Sequence, residues 1–124
     1  MNVPHYDVEI PIATTYKFRF EVSRNGVAED LTTWSNLWFA AKRNPLDEDA
    51  AAVLLYVLFA GVERVFGEPS LAEVTILPNE WTALDDGVRH SLVADVGGID
   101  GDLNVYQIMT LGITVVPRIR RSNF

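Results

Sequence analysis

Two histidines, His5 and His90, are the side chains here whose ordinary pKa lies closest to neutrality. Either could act as a general base if a nucleophile stood beside it. Ser91 follows His90 directly. Neighbours along a strand point to opposite faces, so Ser91 turns away from that imidazole. No Gly-x-Ser-x-Gly elbow is present to offer another serine. His90 alternates with Leu92 and Ala94, which reads as a half-exposed strand histidine. His5 falls within residues 1–6, expected to be a loose end, as are residues 120–124.

Carboxylates are plentiful: Asp47, Glu48 and Asp49; Asp85 and Asp86; Asp100 and Asp102. A general acid needs burial to raise its pKa. These acids lie in turn-like segments flanked by glycine or proline, where water keeps them charged. Asp95, Asp100 and Asp102 could offer hard oxygens to calcium across one loop, but the spacing matches no EF-hand. The glycines account for that segment as turn chemistry. There is no cysteine, which removes disulfides, thiolate metal sites and a cysteine nucleophile. Gly97, Gly98 and Gly101 form no phosphate-binding fingerprint. No catalytic, cofactor-binding or metal-ligating set is therefore expected. Trp34, Trp38 and Trp81 remain. They could form a platform for a sugar, yet such residues more often fill cores or subunit interfaces.

The elements that must hold these residues read as strands. Tyr16, Phe18, Phe20 and Val22 alternate with Thr15, Lys17, Arg19 and Glu21. That places aromatics on one face and charges on the other. A shorter strand, Val8 to Ile12, precedes it, with Pro11 marking an edge or a bend. Asn25-Gly26 is a hairpin-turn signal, because both residues tolerate positive φ. Asn36 to Lys42 reads as a strand. Ala50 to Phe59 is ambiguous between helix and strand, and a strand from about Val53 to Phe59 is preferred. Gly67-Glu68-Pro69 reads as a turn, Ala72 to Ile76 as a strand, and Asn79 to Trp81 as the start of a corner. A strand from His90 to Val96 runs into a turn, Gly97-Gly98-Ile99-Asp100-Gly101. Leu103 to Ile119 is strand-like, with Gly112 bending it or dividing it in two. No amphipathic helix is available for parallel crossovers. The expectation is one all-β domain over residues 1–124: an antiparallel sandwich or small barrel of seven or eight strands.

The net charge of −7 disfavours binding to phosphate backbones. Arg118, Arg120 and Arg121 form the only basic cluster. They read as a docking tail for an acidic partner or, preferred here, as a solvated end. Met1 to Ile12 has no sustained apolar core, so no signal peptide is expected. The longest apolar run, Ala50 to Val62, falls short of the about 20 residues a membrane helix needs. A soluble protein without nucleic-acid or membrane partners is expected.

The order of these pieces forms a pattern. Tyr16-Lys17-Phe18-Arg19-Phe20 is followed by a turn at Gly26 and by Asp30-Leu31-Thr32-Thr33-Trp34. A strand then ends in Ala40-Ala41-Lys42-Arg43. Val74-Thr75-Ile76-Leu77, Thr82 to Leu84, Gly87, the strand reaching Asp95 and the Gly-Gly-Ile-Asp-Gly turn come later. Leu111-Gly112-Ile113-Thr114-Val115 closes the series, with Arg118 shortly after. From residue 8 to about 120 this order resembles immunoglobulin-like domains of phage and prophage tail proteins, similar to the N-terminal domain of baseplate upper proteins. The resemblance implies a non-catalytic virion part: a tail, baseplate or neck component, or a capsid decoration protein. It would be made in the host cytoplasm and assemble with other virion proteins and with copies of itself. No cofactor is implied. By side-chain type, the candidate interface residues are Trp34, Trp38 and Phe124, plus the apolar Leu54 to Phe59 stretch, in which Leu54, Tyr56 and Phe59 are singled out. The alternative is a carbohydrate-binding sandwich, which requires at least two coplanar tryptophans on one exposed face.

Overall fold

The computed structural model describes residues 3–44, 46, 52–84 and 87–117, without the side chains of Thr82 and Ala83. Among the described residues there are ten strands, and the long ones are rich in apolar, β-branched and aromatic residues that suit a pleated, half-buried surface. The ten are β1 (His5–Pro11), β2 (Tyr16–Glu21), β3 (Ser23–Arg24), β4 (Val27–Ala28), β5 (Asn36–Lys42), β6 (Leu54–Leu58), β7 (Gly61–Val65), β8 (Glu68–Ile76), β9 (His90–Ile99) and β10 (Val105–Val116). Among the described residues two 3-10 segments, Leu31–Thr33 and Pro78–Leu84, make corners. Eight strands join one sheet in the order β1-β10-β9-β5-β6-β7-β8-β2, and β3-β4 form a small ribbon. The fold is all-β and mostly antiparallel, and the sheet curls until it is nearly a barrel.

The curl shows in the core. Phe18 on β2 meets Phe39 on β5 with ring centroids 5.6 Å apart, although β6, β7 and β8 lie between those strands in the sheet. Register builds the inner face row by row. Tyr6, Leu111, Ala94, Ala41 and Leu54 lie side by side across five strands. Phe39, Leu37, Ile10, Ile113, Val74, Ile76 and Trp81 are fully buried between the two halves. The Trp81 indole N–H donates to the carbonyl of Thr14 at 3.1 Å, so this large side chain is buried with its polar atom satisfied.

Local chemistry explains the turns. Asn25 (φ 53°) and Gly26 (φ 79°) form the left-handed pair that a two-residue hairpin needs. Asp30 caps the first 3-10 segment by accepting from the backbone N–H of Thr32 at 3.0 Å. Arg64 on β7 then closes that corner. It donates to the carbonyls of Leu31 at 2.8 Å and Trp34 at 2.7 Å.

Several expectations change. His5 and Tyr6 are strand residues, in register with Thr110 and Leu111. β1 pairs with β10 in parallel, as does the short contact between β6 and β7. No helix is required, because β1 and β10 stand at opposite ends of the chain. β7 was not anticipated. The turn expected at Gly67-Glu68-Pro69 lies earlier, and Glu68 and Pro69 already belong to β8. Gly97, Gly98 and Ile99 belong to β9, and the turn begins at Asp100. Gly112 does not divide β10, which runs through it with unbroken register to β9. The ambiguous apolar run is a strand, from Leu54 to Leu58.

Candidate functional site

β5 sits in the middle of the sheet and fixes what the outer surface looks like. Leu37, Phe39 and Ala41 turn inward, so Asn36, Trp38, Ala40 and Lys42 turn outward. Register extends this into rows. Val57, Trp38, Gly97 and Gln107 form one. Leu55, Ala40, Asp95, Thr110 and His5 form the next. Lys42, Val93, Gly112 and Asp7 form a third. Each row has a small residue near its centre: Gly97, Ala40 or Gly112. The surface therefore dips there, in a depression of about 780 Å³. Leu55 and Val57 wall it on one side, Gln107 and His5 on the other.

Glycine is required at the floor. A Cβ on Gly97 would run into the Trp38 ring and the carbonyl of Tyr106. A Cβ on Gly98, facing inward, would meet the Trp34 ring and the carbonyl of Asn36. These glycines let aromatic rings lie directly on the β9 backbone.

Polar side chains pin the surface. The Trp38 indole N–H donates to Asp95 Oδ2 at 3.0 Å, and Gln107 Nε2 donates to Asp95 Oδ1 at 2.6 Å. His5 bridges β1 and β10. Its Nε2 meets Asp7 Oδ1 at 3.1 Å and its Nδ1 meets Thr110 Oγ1 at 2.7 Å. A carboxylate only accepts, so Nε2 donates to Asp7; in the neutral imidazole Nδ1 then accepts from the Thr110 hydroxyl, and in the imidazolium it donates to that oxygen. The order acid, imidazole, hydroxyl is that of a nucleophile relay. The His5 and Asp7 side chains are 52% and 85% exposed, so no low-dielectric pocket surrounds them. What the contacts accomplish visibly is to hold the edge strand in register. Sequence reasoning set His5 aside, because nothing local announces that a strand 105 residues away will receive it.

The sequence candidates scatter. Trp34, Leu54 and Tyr56 face the core and are buried. Burial, then the nearby Glu80 carboxylate, pushes the Tyr56 hydroxyl well above its usual pKa, so it stays neutral. Trp38 is half-buried on the outer face. Phe59 follows β6 in a turn at a φ of 71° and is exposed, with the Arg64 guanidinium 5.4 Å from its ring. Phe124 and the three arginines near it lie outside the described residues, as do Asp47, Glu48, Asp49, Asp85 and Asp86. Within the Leu54 to Phe59 stretch, the residues that β6 turns to the outer surface are Leu55 and Val57, which alternate with the buried Leu54, Tyr56 and Leu58.

With Trp34 and Trp81 buried, the coplanar pair that a sugar platform requires is not formed. Asp95, Asp100 and Asp102 do not converge. Asp95 binds side chains on the sheet, whereas Asp100 accepts from the backbone N–H groups of Asp102 and Asn104, both at 2.9 Å. Among the described residues no group of three His, Cys, Asp or Glu side chains is placed to hold a metal. No family model matches the chain, and none of the curated proteins matches it.

Proposed function

We propose that this chain is a non-catalytic assembly subunit whose outer face, spanning β6, β5, β9 and β10, packs against a second copy of itself. The observation that carries the reading is the composition of that depression. Trp38, Leu55, Val57 and Val93 present apolar surface, while its fully charged lining residues are Lys42 and Asp95. Elsewhere a net charge of −7 makes like copies repel. A nearly neutral apolar face is where two copies can approach, and hydrophobic burial then drives association. The aromatic at its centre fits the anchor of a protein interface.

The phage virion setting, and the choice among tail, baseplate, neck and capsid decoration, rest on the resemblance of residues 8 to 120. The immunoglobulin-like description belongs with them. Its support is that the two halves of the curled sheet bury their inner faces against each other, as a sandwich does.

Light scattering across a concentration series tests the proposal. The expected result is a mass well above the 13.9 kDa of one chain. Leu55→Asp should shift it toward the single chain, whereas Phe66→Asp, on the exposed turn before β8, should not. A mass of one chain at every concentration would contradict it.

A further inference from the structure

The curled sheet does not close. Its order ends on β1 and β2, and among the described residues no backbone hydrogen bond joins them. The loop of residues 12–15 connects the two strands and is anchored on both sides. Ile12 N donates to the Val116 carbonyl at 2.9 Å, and the Thr14 carbonyl accepts from Trp81. These anchors tie the loop to β10 and to the second 3-10 segment rather than drawing the strands together.

The seam is a cleft of about 490 Å³. Tyr6, Val8 and Ile10 line it from β1, and Tyr16, Phe18 and Phe20 from β2. These are alternate residues with inward side chains. Asp7, Arg19 and Glu21 stand at its mouth. Arg19 is committed to Glu73 at 3.0 Å. Among the described residues Glu21 has no ion-pair partner, and Asp7 meets the imidazole of His5. Two open edges beside an apolar strip are what an added strand fits. Its main chain pairs with the edges and its alternate side chains fill the strip. The acidic mouth selects a basic strand.

The sequence contains one such segment. Residues 118–124 carry Arg118, Arg120 and Arg121 together with Ile119 and Phe124. In an extended chain Arg118 and Arg120 share one face and Ile119 takes the other. Seven extended residues reach about 23 Å, whereas Tyr6 to Ile10 spans about 13 Å. Val116 pairs with Pro11, so the segment leaves β10 at the end of the seam that loop 12–15 closes. To enter the seam of its own subunit it would cross that loop, which sheet connections avoid. A neighbour's segment meets no such barrier. The geometry points to the seam as an acceptor for residues 118–124 of a second copy, with arginines at Asp7 and Glu21 and Ile119 in the apolar strip. This rests on the assembly reading but uses a different surface. A contact of this head-to-tail kind builds rings or filaments.

A synthetic peptide with the sequence of residues 117–124 tests it, titrated onto the full chain at a dilution where it is a single subunit and followed by amide chemical shifts. Saturable binding with shifts along Tyr6–Ile10 and Tyr16–Glu21 is expected. Glu21→Arg should weaken it at least tenfold, and a peptide with Arg118→Glu and Arg120→Glu should recover part of that loss. In the full chain, removing residues 118–124 should lower the assembly mass. Absence of saturable binding, or shifts at Trp38 and Leu55 instead, would overturn the inference. So would a full chain that shows the bound seam shifts at dilutions where it is a single subunit, because its own tail would then be the occupant. A tail deletion without effect beside a Leu55→Asp variant that dissociates would remove this inference and leave the outer-face reading standing. The reverse pair of results would do the opposite.

Discussion

Two hollows of this protein are incomplete in different ways. The outer depression is finished in the backbone of its floor: β6, β5, β9 and β10 are each paired on both sides, and Trp38, Asp95 and Gln107 lock one another in place. What it lacks is a cover. The seam between β1 and β2 has apolar side chains gathered at its walls, and what it lacks is a strand. The first should therefore respond to changes of shape at its small floor residues. The second should respond to changes at its rim, where an incoming chain would be steered.

The largest effect is expected at the floor. Gly97→Val forces a branched side chain into the Trp38 ring and the Tyr106 carbonyl. The overpacking should cost about 3 kcal/mol, read from denaturant unfolding. An equal or greater cost is expected for Gly98→Val, which meets Trp34 and Asn36. If either glycine tolerates valine without loss, the rings do not lie on the backbone as described. Next comes the seam wall. Phe18→Ala removes a partly exposed ring packed on Phe39 and should cost about 2 kcal/mol, below the range for a fully buried phenylalanine.

Smaller still is the acid dependence of the turn joining β9 to β10. The backbone N–H of Asn104, ahead of that of Asp102, holds the Asp100 carboxyl below its usual pKa against partial desolvation, with Arg24 adding to the lowering. The unfolded value is about 3.9. A lowered folded pKa means the stabilisation is complete above about pH 4 and is lost as pH falls through the folded value. Asp100→Asn should flatten that acid limb in thermal melts, and an unchanged limb would assign the acid sensitivity elsewhere. The smallest effect is expected for Gly112→Ala. Its new methyl crowds the end of the exposed Asp7 side chain, which can swing away, and meets His5 Nε2 at 3.6 Å, an ordinary contact, so the cost should stay within about 0.5 kcal/mol.

The contrast also shows what a sequence can reveal. β2 and β5 were legible because apolar and polar residues alternate, or because turn residues bracket an apolar run. The Asn25-Gly26 hairpin was legible because its backbone requirement is local. β6 was half legible. Leu54-Leu55-Tyr56-Val57-Leu58 is apolar on both faces, so no periodicity says which side is core and which is surface. Only the register with Ala41 and Phe39 settles it. Gly97-Gly98 was misread for a related reason. A glycine pair looks the same whether the chain turns there or an aromatic ring needs bare backbone, and the rings come from Trp34 and Trp38, about 60 residues earlier in the sequence.

Acrylamide quenching of tryptophan fluorescence across a protein concentration series tests the central claim most directly. Acrylamide is neutral, so the protein's negative charge does not bias it. Trp34 and Trp81 are buried, which leaves Trp38 as the indole that reports on the outer face. Packing of that face against a second copy predicts that quenching falls as concentration rises, and that Trp38→Phe abolishes the change. Quenching that stays constant from dilute to concentrated protein would contradict the account.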